Sequence, residues 1–398
     1  MRQAESGPVT VSSDQVADFT PDEQDYRAEL RKLLADVLPS DWVSMFSRPE
    51  AYEQSNRITQ EVAERGLLIQ HWPPEYGGSD ASIWRQTVTQ EELWAHGEPR
   101  GGQYMNVNWI GPSIMHFGTD AQKAELLPPM AAGQVTWAQL FSEPDAGSDL
   151  ANLSTRARVL DDGSFVVNGQ KVWISYGHLA SKGFLLCRTG EGSRRHAGLS
   201  VLLIDMDTPG IERREIVSSL GANRFAEVFF TDVHIPARAL LGELHDGWAV
   251  AMRALGFERS GSARYARSTR VLGHLEALVA PDDVVARRRI ASLLAMGRAA
   301  ELMNYNVIAL KDQGQAPTWE ASAARTHNAL YEQGVAALAE ETLGPWVQVK
   351  ADSAPTKRHA EIASLYTSQA GSATITAGTY EIQLGIIAQR RLGLERAR

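Results

Sequence analysis

The feature that most constrains this chain is a change of hydrophobic period in its middle. Between 135 and 243 the apolar residues alternate or run in short blocks, as in Phe165-Val-Val-Asn-Gly-Gln-Lys-Val-Trp-Ile-Ser175, Gly198-Leu-Ser-Val-Leu-Leu-Ile204 and Ala226-Glu-Val-Phe-Phe-Thr-Asp-Val-His-Ile235. Successive side chains on a strand point to opposite faces, so this block reads as sheet. Asp161-Asp-Gly163 predicts a hairpin, and Pro236, which has no amide to give a ladder, closes the last strand. On both sides the period is helical. At 398 residues the chain exceeds one ordinary core. The pattern predicts an α+β protein, mostly α, with a mobile lead-in over 1–20, an N-terminal helical domain over 21–134, a barrel-like β domain over 135–243 and a C-terminal four-helix bundle over 244–398.

The helical flanks carry their own punctuation. Asp22, Glu23 and Asp25 sit where acidic side chains favour a helix start, and Tyr26, Leu30, Leu33, Leu34 and Leu38 follow at helical spacing. Further helices are predicted around Ile58 to Leu68, Trp84 to His96 and Trp109 to Phe117, with a turn at Trp72-Pro-Pro-Glu-Tyr-Gly-Gly78. In the last third, Ala286, Ile290, Leu293, Leu294, Gly297, Ala300, Met303, Val307 and Leu310 form a stripe that Pro281-Asp282 starts and Gly314 ends. Another helix covers Ala321 to Leu343, and one or two follow Pro355. These helices are expected to pack on one another and, through spare apolar faces, on another subunit.

Composition narrows the partners. A formal net charge of −9 argues against a nucleic-acid or anionic-membrane surface. No apolar segment approaches the roughly 20 residues that span a bilayer, and the first residues lack a basic stretch followed by an apolar one. A cytoplasmic location is expected. The single cysteine, Cys187, lies in the apolar run Gly183-Phe-Leu-Leu-Cys187 and reads as a buried strand residue.

The chemistry concentrates in Trp137-Ala-Gln-Leu-Phe-Ser-Glu-Pro-Asp-Ala-Gly-Ser-Asp149, where a strand through Phe141 breaks into a turn rich in hydroxyl and amide donors. Such a loop suits a polar ring edge or a pyrophosphate. The stretch resembles the (L/V)-T-E-P-x-A-G-S-D flavin-binding signature of the acyl-CoA dehydrogenase family, with Ser142 in place of the usual Thr. Trp72 to Gly78 is similar to that family's W-P-x-E-x-G-G turn, Gly118-Thr-Asp-Ala-Gln-Lys123 to its G-T-x-x-Q-K element, and Asn168-Gly-Gln-Lys-Val-Trp-Ile-Ser175 to its N-G-x-K-x-W-I-(T/S) element. The resemblance implies FAD as cofactor, with Phe141, Ser142, Ser148, Trp173 and Ser175 around it. Ser148 is also a candidate for the pyrophosphate of coenzyme A.

The family removes a proton beside a thioester carbonyl and passes a hydride from the next carbon to the flavin, which requires an aligned carboxylate and donors for the developing enolate. Most members carry that base near the C-terminus in Glu-Gly-Thr. Here the matching stretch is Thr376-Ala-Gly-Thr-Tyr-Glu-Ile-Gln383, and Ala377, at the base position, keeps only its backbone N–H as a donor. A branch that includes isovaleryl-CoA dehydrogenase-like and bacterial steroid side-chain enzymes places the glutamate earlier, in L-x-x-E-R. Leu255-Gly-Phe-Glu-Arg259 matches, which makes Glu258 the candidate base and Arg259 a candidate substrate contact. The resemblance also puts Thr379 and Glu381 near the cofactor. Arg264, Arg267 and Arg270 follow the base on one helix and are expected to face water.

The family's R-x-x-F-G hairpin, whose Arg reaches a neighbouring subunit's flavin, has no counterpart between Arg259 and Ile290, and the Q-x-x-G-G element is not recognisable before Pro355. The resemblance therefore implies a catalytic subunit of a hetero-oligomer, α2β2, whose related partner completes the flavin site, with a homotetramer as the alternative. It also implies an acyl-CoA substrate, bulky or derived from a steroid side chain, and an electron-transferring flavoprotein as acceptor. Two alternatives stay open: a non-catalytic subunit marked by Ala377, and a flavin monooxygenase or oxidase on the same fold.

Overall fold

The computed structural model describes residues 19–44, 50–218, 221–259, 263–348, 357–376 and 378–395; the side chains of 221–224, 257–259, 348 and 357–360 fall outside the description. Nearly all of the expected lead-in is outside it too.

Thr20 begins α1 (Pro21–Val37): its hydroxyl accepts from the Glu23 amide while the Glu23 carboxylate accepts from the Thr20 amide. This reciprocal cap satisfies two amides that a helix end otherwise leaves open. Leu30, Leu33 and Leu34 then bury against Val88 and Leu93 of α3 (Ile83–Ala95). Between them α2 runs Ala51–Glu64, about two turns earlier than Ile58 to Leu68 predicts. Its first turns bury Ala51 and Ser55, small residues that a search for large apolar side chains passes over. After a short α4 (Gln103–Met105), the expected Trp109–Phe117 helix is an α-helix, α5 (Gly111–Phe117), preceded by a π-helical turn over Asn106–Ile110. A second capping box, Thr119 with Gln122, opens α6 (Asp120–Ala131).

The middle of the chain forms one eight-stranded sheet from β1 (Trp137–Leu140), β2 (Arg156–Val159), β3 (Phe165–Ser175), β4 (Lys182–Arg188), β5 (Leu199–Asp205), β6 (Ile211–Ser218), β7 (Gly221–Ile235) and β8 (Leu240–Leu241). The order is β6-β7-β3-β2-β4-β5-β8, with β1 parallel to β4. The predicted hairpin joins β2 to β3. Pro236 ends β7 but not the sheet: one 3-10 turn later the chain adds β8 to β5, a strand of two residues that carries no readable period. Cys187 lies buried in β4, and burial pushes its thiol up to about 12, so it is inert packing.

The last third supplies α7 (Gly247–Arg259), α8 (Arg264–Glu276), α9 (Val284–Asp312), α10 (Glu320–Leu343), α11 (Lys357–Ala370) and α12 (Tyr380–Arg390). Helices α8 to α11 pack as a four-helix bundle in which α8 and α10 each touch the other three. Gly247 presses the start of α7 onto β5: a Cβ there would stand 2.4 Å from Ser200 Cα. The α9 stripe buries Ile290, Leu293, Gly297, Ala300 and Val307, but Leu294 is 45% exposed, because one step of about 100° past Leu293 carries it off the buried face. Buried Glu91 and Glu92 on α3 bolt the helical layers together. Arg27 and Arg31 of α1 pair with them from one side, and Tyr265 of α8 and Tyr305 of α9 donate to Glu91 from the other. No helix among the described residues is long and apolar enough to cross a membrane.

Candidate active site

The loop after β1 is tighter than its composition predicts. The Glu143 and Ala146 amides and carbonyls bond reciprocally at 3.0 and 3.1 Å, which leaves Pro144 and Asp145 at an exposed tip. Glu143 itself turns inward, in contrast to the exposed polar loop expected from sequence. Its carboxylate, 4% exposed, accepts from the Ser154 amide at 2.6 Å, the Ser154 hydroxyl at 2.7 Å, the Thr155 amide at 2.9 Å and Lys171 Nζ at 2.9 Å. Burial alone would raise its pKa, but the Lys171 charge and these bonds outweigh it and hold the carboxyl at about 2. Fully buried Lys171 also donates to the Phe141 carbonyl at 2.9 Å. A turn signature gives no warning of this pair, because the partner that draws Glu143 inward comes from a strand 28 residues later.

The same strand explains most of the Asn-Gly-x-Lys-x-Trp element. Asn168 exchanges hydrogen bonds of 3.0 and 2.9 Å with Asp232. Gly169 has φ +150°, and a Cβ there would lie 2.6 Å from Thr155 Oγ1. Between Lys171 and Ile174 the β3–β7 register slips, Trp173 takes φ +60°, and its side chain turns outward. At 59% exposure it is the most exposed of the described tryptophans, and it meets Phe225 edge-on at 5.9 Å. A positive φ on a bulky residue costs free energy that packing here does not return, the signature of a side chain presented to a ligand.

Ser142 is carried to the same place, its carbonyl accepting from the Val172 amide at 3.0 Å. The hydroxyls of half-buried Ser142 and Ser175 have no partner among the described residues. An outward indole beside two open hydroxyls, on a bulge locked by a buried ion pair, fits a planar polar ring such as isoalloxazine. Phe141 contributes differently: it lies just past β1, is 4% exposed and packs on Phe184 at 5.7 Å, so its side chain forms floor. Ser148 is exposed on the loop.

Segments flanking the two candidate base positions are joined by a hydrogen bond. Glu258 stands one helical turn after Ala254, which with Ala251 is fully buried on α7; the side chains of Glu258 and Arg259 are outside the described residues, as is Ala377. Arg264, at the start of α8, donates to Thr376 Oγ1 at 3.3 Å, and Arg325 of α10 donates to the carbonyls of Ala373 and Thr376 at 2.5 and 2.8 Å. The turn before Ala377 is thus fastened beside the junction that follows Glu258. Thr379 caps α12 by accepting from the Ile382 amide at 3.3 Å, and Glu381 is exposed in its first turn.

The three arginines depart from expectation. They stand on α8, separate from α7, and protein rather than water receives them: Arg264 bonds Thr376, Arg267 pairs with Glu332 and Gln369, and Arg270 donates to the Ala95 carbonyl. Their spacing of three puts them on one face, which the bundle and α3 cover. After α8 only residues 277–283 precede α9.

Sequence reasoning missed a cleft of about 760 Å³ between α3, the π-turn, α5, α7 and α9, lined by Trp72, Met115 and Ile308 with Gln90, Arg253 and Lys311. No linear signal marks it, since its walls come from segments spread between residues 71 and 311.

Comparison with known proteins agrees with this architecture. Family models for the acyl-CoA dehydrogenase N-terminal, middle and C-terminal domains match residues 20–134, 138–233 and 245–392. The acyl-CoA dehydrogenase IpdE1 of Mycolicibacterium smegmatis is 35% identical over 94% of this chain and 98% of its own length, and IpdE1 of Mycobacterium tuberculosis is 36% identical over the same shares. Among solved structures, the Tcur3481-Tcur3483 steroid ACAD superposes with a TM-score of 0.88 at 26% identity, over 95% of this chain and 99% of that one. The ChsE4-ChsE5 complex from Mycobacterium tuberculosis gives 0.86 at 27%, over 96% and 100%. With three domain models matched in order and relatives above 30% identity along nearly the whole length, the chain belongs to the acyl-CoA dehydrogenase family.

Proposed function

We propose that this chain is the catalytic subunit of a hetero-oligomeric, FAD-dependent acyl-CoA dehydrogenase in which Glu258 is the base. In this reading the Glu258 carboxylate takes the proton from the carbon beside the thioester carbonyl, and the electron pair of that C–H bond becomes part of the new double bond as hydride leaves the next carbon. The flavin, when bound, accepts that hydride. Trp173, Ser142 and Ser175 orient the ring and exclude water from one face, Ser148 serves the phosphates, and the Ala377 amide donates to the thioester oxygen as negative charge develops there.

The observation that carries the assignment is the Arg264–Thr376 hydrogen bond, which links the segment after Glu258 to the segment that holds the base in most relatives. A carboxylate from either segment then serves one cavity, so Ala377 marks relocation rather than loss. The short 277–283 connection supports a flavin site completed by a related partner, as do the heteromeric names of two structural neighbours. The name "steroid ACAD" and the open cleft favour a bulky acyl group, and an electron-transferring flavoprotein is the expected acceptor. The test is anaerobic addition of an acyl-CoA series to the chain purified with and without its partner. Bleaching of flavin absorption in the assembly is the expected result. An assembly that binds flavin yet is reduced by no acyl-CoA would contradict the reading, and one FAD per chain in a pure single-chain oligomer would contradict the partner.

A further inference from the structure

Lys311 on α9 is a partly buried cation on the wall of the cleft. Its ammonium makes no hydrogen bond and no ion pair among the described residues. Burial, the sole cause, lowers its pKa to about 8. Two amide side chains on the cleft wall, Gln90 and Asn108, are already satisfied. Arg100 donates to Gln90 Oε1 at 2.8 Å, Gln90 Nε2 donates to Asn108 Oδ1 at 2.7 Å, and Asn108 Nδ2 donates to the Tyr104 carbonyl at 2.7 Å.

His71, on the same wall, is occupied as well. Inside the π-turn the Gly111 amide reaches back to Asn106, which leaves the Val107 carbonyl facing Pro112, a residue with no amide. His71 Nε2 and Trp72 Nε1 donate to that carbonyl at 3.0 and 2.9 Å. Burial holds the His71 pKa down at about 4, so the ring stays neutral near pH 7. Lys123 and Arg253 add positive charge to the same lining, against the single carboxylate of Glu75, in a chain whose net charge is −9.

We infer that the cleft receives the far end of the acyl group and that this end carries a carboxylate, which pairs with Lys311. The inference rests on the acyl-CoA reading above and deepens it. The cleft is walled by α7, the helix that also carries Glu258, so a group bound there lies against the same helix as the candidate base. Trp72, Met115 and Ile308 supply the apolar flank for the body of the acyl group, and Lys311 a polar end point, the usual division of labour in a small-molecule pocket. An ammonium partly withdrawn into a cleft without a protein counter-ion is a ready partner for a ligand carboxylate, and the pairing strengthens as the ligand displaces water from the cleft.

The test measures binding rather than turnover. Unreactive S-alkyl coenzyme A thioethers, methyl-terminated or ω-carboxylated and matched over a series of lengths, are titrated calorimetrically into the assembled enzyme and into its Lys311→Met variant. The ω-carboxylated series is expected to bind roughly ten-fold tighter at the best length, and the variant to lose that preference while keeping its affinity for the methyl-terminated series. Lys311→Met should also melt no lower than the wild type, since it removes an uncompensated charge. Equal binding of the two series at every length, or a preference that survives in Lys311→Met, would overturn the assignment of Lys311 alone. Failure of both series to bind would overturn the acyl-CoA reading with it.

Discussion

Lys171 and Lys311 both carry a cation into the protein, the first under the loop 142–149 and the second into the cleft beside α3. Lys171 finds a carboxylate and a carbonyl within 2.9 Å, while Lys311 finds neither. A buried charge with complete partners holds structure together: Glu143 and Lys171 fix the loop, the bulge and therefore the outward Trp173. A partly buried charge without protein partners adds little to stability, and it marks a place where something else can supply the partner.

The largest effect should come from breaking the complete pair. Glu143→Gln leaves Lys171 buried without an anion and should cost about 3–5 kcal/mol of stability, read as a lower urea midpoint together with loss of bound flavin. Acid probes the same pair. The folded pKa of Glu143 is depressed, so its stabilising effect is complete above the ordinary value of 4.5 and disappears as pH falls from there through about 2. The advantage of wild type over Glu143→Gln should shrink across that window. A constant advantage down to pH 2 would mean that the pair is not what holds the loop.

Trp173→Ala should change stability by only about 0.5 kcal/mol, because the indole is 59% exposed, yet flavin affinity should fall markedly; an unchanged visible spectrum would remove Trp173 from the ring site. The smallest effect belongs to the incomplete charge. Lys311→Met should stabilise the ligand-free protein by up to about 1 kcal/mol, measured as a rise in Tm. A clear fall in Tm would mean that the ammonium has partners after all, and the contrast with Lys171 would collapse.

Much of this was legible in the sequence because the signals are local. The acidic start of α1, the Asp161–Gly163 hairpin and the burial of Cys187 all follow from neighbouring residues. What could not be read depends on segments meeting. The Glu143–Lys171 pair, the reception of Arg264, Arg267 and Arg270 by α3, α10 and the C-terminal turn, and the cleft at Lys311 all join residues far apart in the chain. Strand β8 escaped for the opposite reason, since two residues carry no period. Within the site, Asn168, Gly169 and Lys171 prove to shape the strand, leaving Trp173 and the two serine hydroxyls as the groups open to a ligand.

The central claim is that the base has moved to Glu258 while still facing the cavity served by the Thr376–Thr379 turn. The most direct measurement is the rate of anaerobic flavin reduction by acyl-CoA in the assembled enzyme, in Glu258→Gln and in Glu258→Gln combined with Ala377→Glu. The account predicts a loss of roughly 10²–10⁴-fold in the single variant, with flavin still bound, and partial recovery when a carboxylate is returned at position 377. Reduction at the wild-type rate in Glu258→Gln would contradict it.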